Sequence, residues 1–162
     1  MSSNFQKVLE FNKAFGVKSN KTVQHEIFDK DPKLVQYRLD LIEEEVDELK
    51  QAIKEKDMTE TVDALADILY VVYGAFTAIG IDADQAFQIV QDSNMSKLCK
   101  TEEDAQETVM RYREEVPQRY DSPNYRRSDD GVHFVVYNQS TFKILKNYKY
   151  TAADFTSLLE NN

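Results

Sequence analysis

Pro32-Lys-Leu-Val-Gln-Tyr-Arg-Leu-Asp-Leu-Ile-Glu-Glu-Glu-Val-Asp-Glu-Leu-Lys-Gln-Ala-Ile-Lys-Glu55 spaces its apolar residues by three or four: Val35, Leu39, Ile42, Val46, Leu49 and Ile53. That period predicts an amphipathic helix from about 33 to 55, with those six residues as its buried stripe. Asp31-Pro32 supplies an N-cap followed by proline at the first helical position. Asp57-Met-Thr-Glu60 has the form of a capping box and opens a second long helix to about Ala78, which Gly80 is suited to end. With only a short turn over 54–59, the two helices are expected to lie side by side and antiparallel.

The rest of the chain reads outward from this pair. Phe5, Val8, Leu9 and Phe15 predict a helix over 4–15 that stops at Gly16, and residues 17–31 read as a connection. Asp82-Ala-Asp-Gln85 and Thr101-Glu-Glu-Asp104 cap two more helices, over about 83–98 and 102–114. After Pro117 the texture changes. Val132–Tyr137 and Thr141–Leu145 are β-prone and flank Asn138-Gln139-Ser140, which predicts a small hairpin. Thr151-Ala-Ala-Asp154 reads as the cap of a last short helix. The fold class expected is therefore all-α: a bundle of four to five helices over 1–116, with a C-terminal extension over 117–162 packed on it.

Composition narrows the class of function. The chain has 162 residues, 41% of them hydrophobic, with 4 Gly and 3 Pro, enough apolar content for a core and too few turn residues for a many-stranded fold. Its 29 acidic side chains against 20 basic leave a net charge of −9, which argues against a nucleic acid polymer as partner. The single cysteine, Cys99, forms no intrachain disulfide and points to a reducing, cytoplasmic setting. The N-terminus lacks the basic and apolar pattern of a signal peptide. Ala64–Ile81 is strongly apolar, but Asp67 within it makes a membrane span costly, so it is read as a core helix.

The carboxylates carry the chemistry. Five of the six residues in Glu43-Glu44-Glu45-Val46-Asp47-Glu48 are acidic, and Glu45 and Glu48 share a helix face beside the apolar stripe. From Thr61 to Ile81 the only charged residues are Asp63 and Asp67, one turn apart. An acid suits a helix start, which accounts for Asp63. Asp67, two turns in among Leu65, Ile68, Leu69 and Val71, has no such account, and a buried carboxylate without a partner is costly. With the helices antiparallel, Glu45 and Glu48 face Asp63 and Asp67. At about 4 Å each like pair costs on the order of 4 kcal/mol at intermediate dielectric. A hard divalent cation reverses that sign, and Mg²⁺ commonly shares its shell with phosphate oxygens; Mn²⁺ is a substitute. His25 and His133 complete no Glu-x-x-His pair, so a di-iron bundle does not fit, and zinc lacks its ligands.

Arg38-Leu-Asp-Leu-Ile-Glu-Glu-Glu-Val-Asp-Glu-Leu49, Asp63-Ala-Leu-Ala-Asp-Ile-Leu-Tyr-Val-Val-Tyr-Gly74 and Ser93-Asn-Met-Ser-Lys97 together resemble the all-α nucleoside triphosphate pyrophosphohydrolases, over about 33–100. These include MazG-like and phosphoribosyl-ATP pyrophosphohydrolase-like proteins, and Tyr137–Leu159 is similar to an extension in the latter branch. The resemblance implies Mg²⁺-dependent cleavage of a (deoxy)nucleoside triphosphate to the monophosphate and pyrophosphate. It places the first metal-binding pair on Glu45 and Glu48. Of the second pair, Glu-x-x-Asp, only the Asp is kept, at Asp67; the Glu position is Ala64. Asp63, or Glu60 a turn earlier, is then the stand-in. Glu44 holds the place of a general base, Lys97 that of a phosphate contact and Asn94 that of a sugar or base contact. Each of these three also has a plain reading: a solvated acid, a cation at a helix C-terminus, and a local cap.

Arg38, two turns before Glu45, reads either as a phosphate clamp or as the ion-pair partner of Asp40 or another acid. Lys143, Lys146 and Lys149 alternate with Phe142, Ile144, Tyr148 and Tyr150, as a basic aromatic edge over a nucleotide or as a solvated strand face; Lys146 is the substrate candidate among them. The competing function is a non-catalytic helical module that binds a nucleotide or partner in the acidic groove, and Ala64 is the residue that keeps it open. The broad apolar face of 64–81 predicts a homodimer or homotetramer.

Overall fold

The computed structural model describes residues 2–160. Among them are seven helices and one two-stranded sheet: α1 (Asn4–Phe15), α2 (Ile27–Lys30), α3 (Pro32–Glu55), α4 (Met58–Ile79), α5 (Ala83–Met95), α6 (Glu102–Glu114), β1 (Pro123–Arg127), β2 (Phe134–Asn138) and α7 (Thr156–Glu160). The all-α class with a small hairpin and a short terminal helix is what the sequence predicts. The chain forms two compact units, one of residues up to Phe87 together with those from Phe155 onward, the other Gln88–Asp154. The division falls inside α5.

In the first unit each helix begins where its capping residue sits. Ser3 and Gln6 form a full capping box on α1. The Asp31 carboxylate accepts from the Leu34 amide at the start of α3 and pairs with Lys18 at 3.0 Å. Asp57 accepts from the amides of Thr59 and Glu60 at the start of α4. Lys56, in the left-handed conformation, turns the chain between α3 and α4 in place of the glycine that usually stands there. The connection over 17–31 contains one helical turn, α2, and is tied to the end of α4. The Asn20 and Gln24 amides donate to the Thr77 and Ile79 carbonyls, each at 2.9 Å. Asn12, buried on α1, donates to Ser19 and Thr77, also at 2.9 Å. Gly80 closes α4 at φ +77, with the Thr22 carbonyl directly beside it.

The apolar stripes are less covered than the periodicity predicts. On α3 only Arg38 and Ala52 are buried, while Leu39 and Ile53 are 46% and 59% exposed. On α4 only Ala64, Gly74, Thr77 and Ala78 are buried, and Met58, Val62, Leu65, Leu69 and Tyr70 face outward. Helix α4 packs on α3 and α1, and among the described residues Met58, Val62, Leu65 and Leu69 on its other face stay exposed. It is also the one helix among the described residues whose length and composition suit a membrane span, with Asp63 and Asp67 on its exposed surface. The core-helix reading therefore holds for one side of it only.

The second unit is built on Cys99, Ala105, Val109, Val136 and Leu145, with Tyr112, Tyr120, Tyr125 and Phe134 around them. Its hairpin differs from the expected one. β2 pairs antiparallel with β1, from Pro123 opposite Asn138 to Arg127 opposite Phe134. The segment 141–145 adds only a bridge between Tyr137 and Ile144. Two charged residues and a proline in Pro123-Asn-Tyr-Arg-Arg127 hide its strand character, although Pro123 is buried and Tyr125 packs on Phe134. Asn138 ends β2: buried, it donates from Nδ2 to Asp121, with the Ser140 and Thr141 hydroxyls sharing its second proton, and accepts from the Ser122 amide. Helix α5 stops at Met95, short of residue 98, because Cys99 exchanges both backbone hydrogen bonds with Phe134 at 2.9 Å. Helix α7 starts at Thr156, later than the Thr151 cap predicts.

Candidate functional site

The α3–α4 hairpin sets the site. Small buried residues, Ala52 and Ala64, let the helices approach at one end, and at the other Arg38 packs on Gly74. Seven residues along α3 from Arg38 is Glu45; seven back along α4 from Gly74 is Asp67. The antiparallel register thus brings those two acids level.

Glu45 is the centre of the acidic cluster. It is half-buried, and its Oε2 is sealed from water with no hydrogen-bond donor among the described residues. Burial raises its pKa above the ordinary glutamate value, and the charges of Glu48, Asp67, Glu44 and Asp63 raise it further, in that order. All five predicted acids therefore meet electrostatically at one place. Asp63 is among the acids whose charge reaches Glu45. Ala64 itself is 3% exposed, sunk in the hairpin. Of the other acids on α3, Asp47 pairs with Lys50 at 2.8 Å.

Two details correct the sequence reading. Asp67 is exposed, not buried among leucines, because Leu65 and Leu69 beside it lie on the uncovered side of α4. Its charge acts on Glu45. Arg38 forms no ion pair with Asp40, whose carboxylate accepts from Gln36 at 2.6 Å.

Among the described residues no three acids, histidines or cysteines stand as a ready-made metal cage. The chemistry of the donor set nonetheless fits a hard divalent cation. A sealed carboxylate oxygen without a donor, surrounded by four further acids, lacks positive charge and nothing else.

The second unit holds the other predicted residues. The Lys97 ammonium donates to Asn94 Oδ1 at 2.7 Å. Lys146 Nζ lies 4.2 Å from the centre of the Tyr150 ring. Among the described residues neither lysine is in an ion pair, whereas Lys149 pairs with Asp104 at 2.6 Å and Lys143 stacks over Tyr120. Tyr150 and Ser93 are additions that the sequence did not assign. The Ser93 hydroxyl donates to the Tyr150 oxygen at 3.1 Å, sharing its one proton with the Thr151 carbonyl at 2.9 Å. That hydrogen bond and the nearby Lys146 and Lys97 lower the pKa of Tyr150, against the opposing effect of burial. Asn94, Lys97, Lys146 and Tyr150 thus make a cationic cluster with a polarised phenol. Ser93 and Tyr150 are 57 residues apart, and no local pattern links them. Gly74 did leave a signal, since a glycine inside a helix costs about 1 kcal/mol and implies a packing reason.

A family model described as phosphoribosyl-ATP pyrophosphohydrolase matches residues 8–94, which takes in α3, α4 and most of α5. An uncharacterized protein, L479, of Acanthamoeba polyphaga mimivirus is 30% identical, with 98% of this chain and 96% of that protein aligned.

Proposed function

The chain belongs to the phosphoribosyl-ATP pyrophosphohydrolase family, within the MazG-like nucleoside triphosphate pyrophosphohydrolase superfamily, and on that premise we propose that it hydrolyses a (deoxy)nucleoside triphosphate to the monophosphate and pyrophosphate with Mg²⁺. The family is one of phosphoanhydride hydrolases, typically dependent on a divalent metal. The observation that carries the reading is the orphaned Glu45 oxygen among four like charges.

Glu45, Glu48, Asp63 and Asp67 are the residues that would hold Mg²⁺, or Mn²⁺ in its place. The cation, when bound, offsets charge on phosphate oxygens and makes a nearby water more acidic. Glu44, exposed one residue before Glu45, accepts the proton of the attacking water. The water oxygen bonds to phosphorus, and the bond from phosphorus to the bridging oxygen breaks, releasing the two products. In unit 1, Arg38 is assigned to a phosphate. In the other unit, Lys97 and Lys146 are the cations suited to phosphate, and Asn94 the amide suited to sugar or base.

A panel of canonical and non-canonical nucleotides, assayed for pyrophosphate release with Mg²⁺, tests the reading. At least one nucleotide should be turned over, and Asp67→Asn should lower that turnover by about tenfold to a hundredfold, the scale on which disturbing a metal site acts. Nucleotide binding with no turnover would replace the hydrolase by the non-catalytic module.

We infer likewise that a second copy of the chain covers the exposed apolar face of Leu65, Leu69 and Tyr70, giving a homodimer or homotetramer. Light scattering should return two or four times 18.8 kDa. A monomer at every concentration would end this inference.

A further inference from the structure

Arg38 is nine-tenths buried, yet among the described residues neither its Nε nor its Nη2 has a hydrogen-bond partner. Burial lowers its pKa, and its near neighbour is the Tyr37 ring, 5.8 Å from Cζ. A sealed guanidinium without an anion is costly to keep. The two orphaned atoms matter by their position. Nε and Nη2 lie along one edge of the planar group, and that edge offers two parallel N–H bonds to a pair of oxygens on a single phosphorus or carbon.

Gly74 makes the seat. A Cβ at residue 74 would lie 2.9 Å from Arg38 Nη1 and 3.7 Å from Cζ, so only glycine leaves the guanidinium where it is. Arg38 and Glu45 are seven residues apart on one side of α3, about 10.5 Å along its axis. One unit therefore carries an empty bidentate cation and, two helical turns away, a group of acids that lacks a cation. A ligand that brings both phosphate oxygens and a divalent ion satisfies both.

We propose that Arg38 is the oxyanion receptor of the α3–α4 hairpin and that Gly74 is its positioning residue, the pair gripping the phosphate chain of the ligand. The identity of that ligand as a nucleoside triphosphate rests on the hydrolase reading; the anion site itself does not. Gly74 acts only through Arg38 and touches no reacting atom.

Calorimetry with inorganic tripolyphosphate and Mg²⁺ on the full chain tests this. Arg38→Met should weaken binding at least tenfold while the melting temperature stays the same or rises, because an unpaired buried charge has been removed. Arg38→Lys keeps the charge and loses the edge, so it should recover only part of the affinity. Gly74→Ala should weaken binding severalfold although alanine is the better helix former, and in turnover it should raise KM more than it lowers kcat. Tripolyphosphate affinity equal to the parent's in Arg38→Met would overturn the proposal. So would a parent that binds no tripolyphosphate. A shift of Arg38→Met to a smaller oligomer with binding unchanged would overturn it too, assigning the guanidinium to a carboxylate of a second copy. Binding through Arg38 without turnover of any nucleotide would support the receptor and overturn the hydrolase reading alone.

Discussion

Glu45→Gln should abolish most Mg²⁺-dependent turnover, by about a hundredfold or more, and yet raise the melting temperature of the metal-free protein. Both effects come from one oxygen. Glu45 Oε2 is sealed from water with no donor, and four acids surround it. Gln keeps the shape and removes the charge that a cation would need. The pH dependence has a definite sign. In the unfolded chain this carboxyl titrates at its ordinary value of 4.5, and in the folded protein above it. The folded state holds the proton more tightly, so the stability contributed by Glu45 is whole below the ordinary value and is lost as pH rises through the raised one. Metal-free melting temperature should therefore fall over that interval, and Mg²⁺ should restore it by favouring the ionised form. Gln, neutral throughout, should lack this step. Thermal melts with and without Mg²⁺ between about pH 4 and pH 8 read both arms. A Glu45→Gln protein that turns substrate over at the parental rate would remove Glu45 from the metal site.

Gly80→Ala should destabilise the first unit by about 2–4 kcal/mol, whereas Gly16→Ala should cost only about 1 kcal/mol. The two glycines share a backbone conformation, φ +77 and φ +69, and both end a helix. A left-handed alanine carries the same intrinsic penalty at each. The surroundings differ. A Cβ at residue 16 meets nothing within 4 Å, while at residue 80 it would lie 1.9 Å from the Thr22 carbonyl oxygen and 2.6 Å from its carbon. Relief requires moving the connection over 17–31 off the end of α4, and with it the hydrogen bonds of Asn20 and Gln24 to Thr77 and Ile79. Urea unfolding of the two variants measures the difference; equal losses would show that the Thr22 segment yields freely.

The acid cluster was readable because its geometry is mostly local. Glu45 and Glu48 share a face by helical spacing alone, as do Asp63 and Asp67, and the short turn between the helices makes them face each other. What failed was burial. The periodicity of Leu39, Ile53, Leu65 and Leu69 says that they share a side, and it does not say what covers that side. Among the described residues that side stays open, and Asp67 stands exposed on it. The strand at 123–127 was missed for a related reason: its residues are polar, and its partner across the hairpin supplies the order.

From the order of its residues alone this protein was determined to be a set of capped amphipathic helices with two acid pairs on facing sides. Caps, periods and one-turn spacings act over three or four residues, and each can be read without knowing where the chain goes next. The tertiary structure alone decided that Arg38 settles against Gly74, that Asp67 stands exposed, and that Ser93 meets Tyr150. Those outcomes depend on which distant segments pack together and how closely, a balance of desolvation and charge that no local pattern encodes.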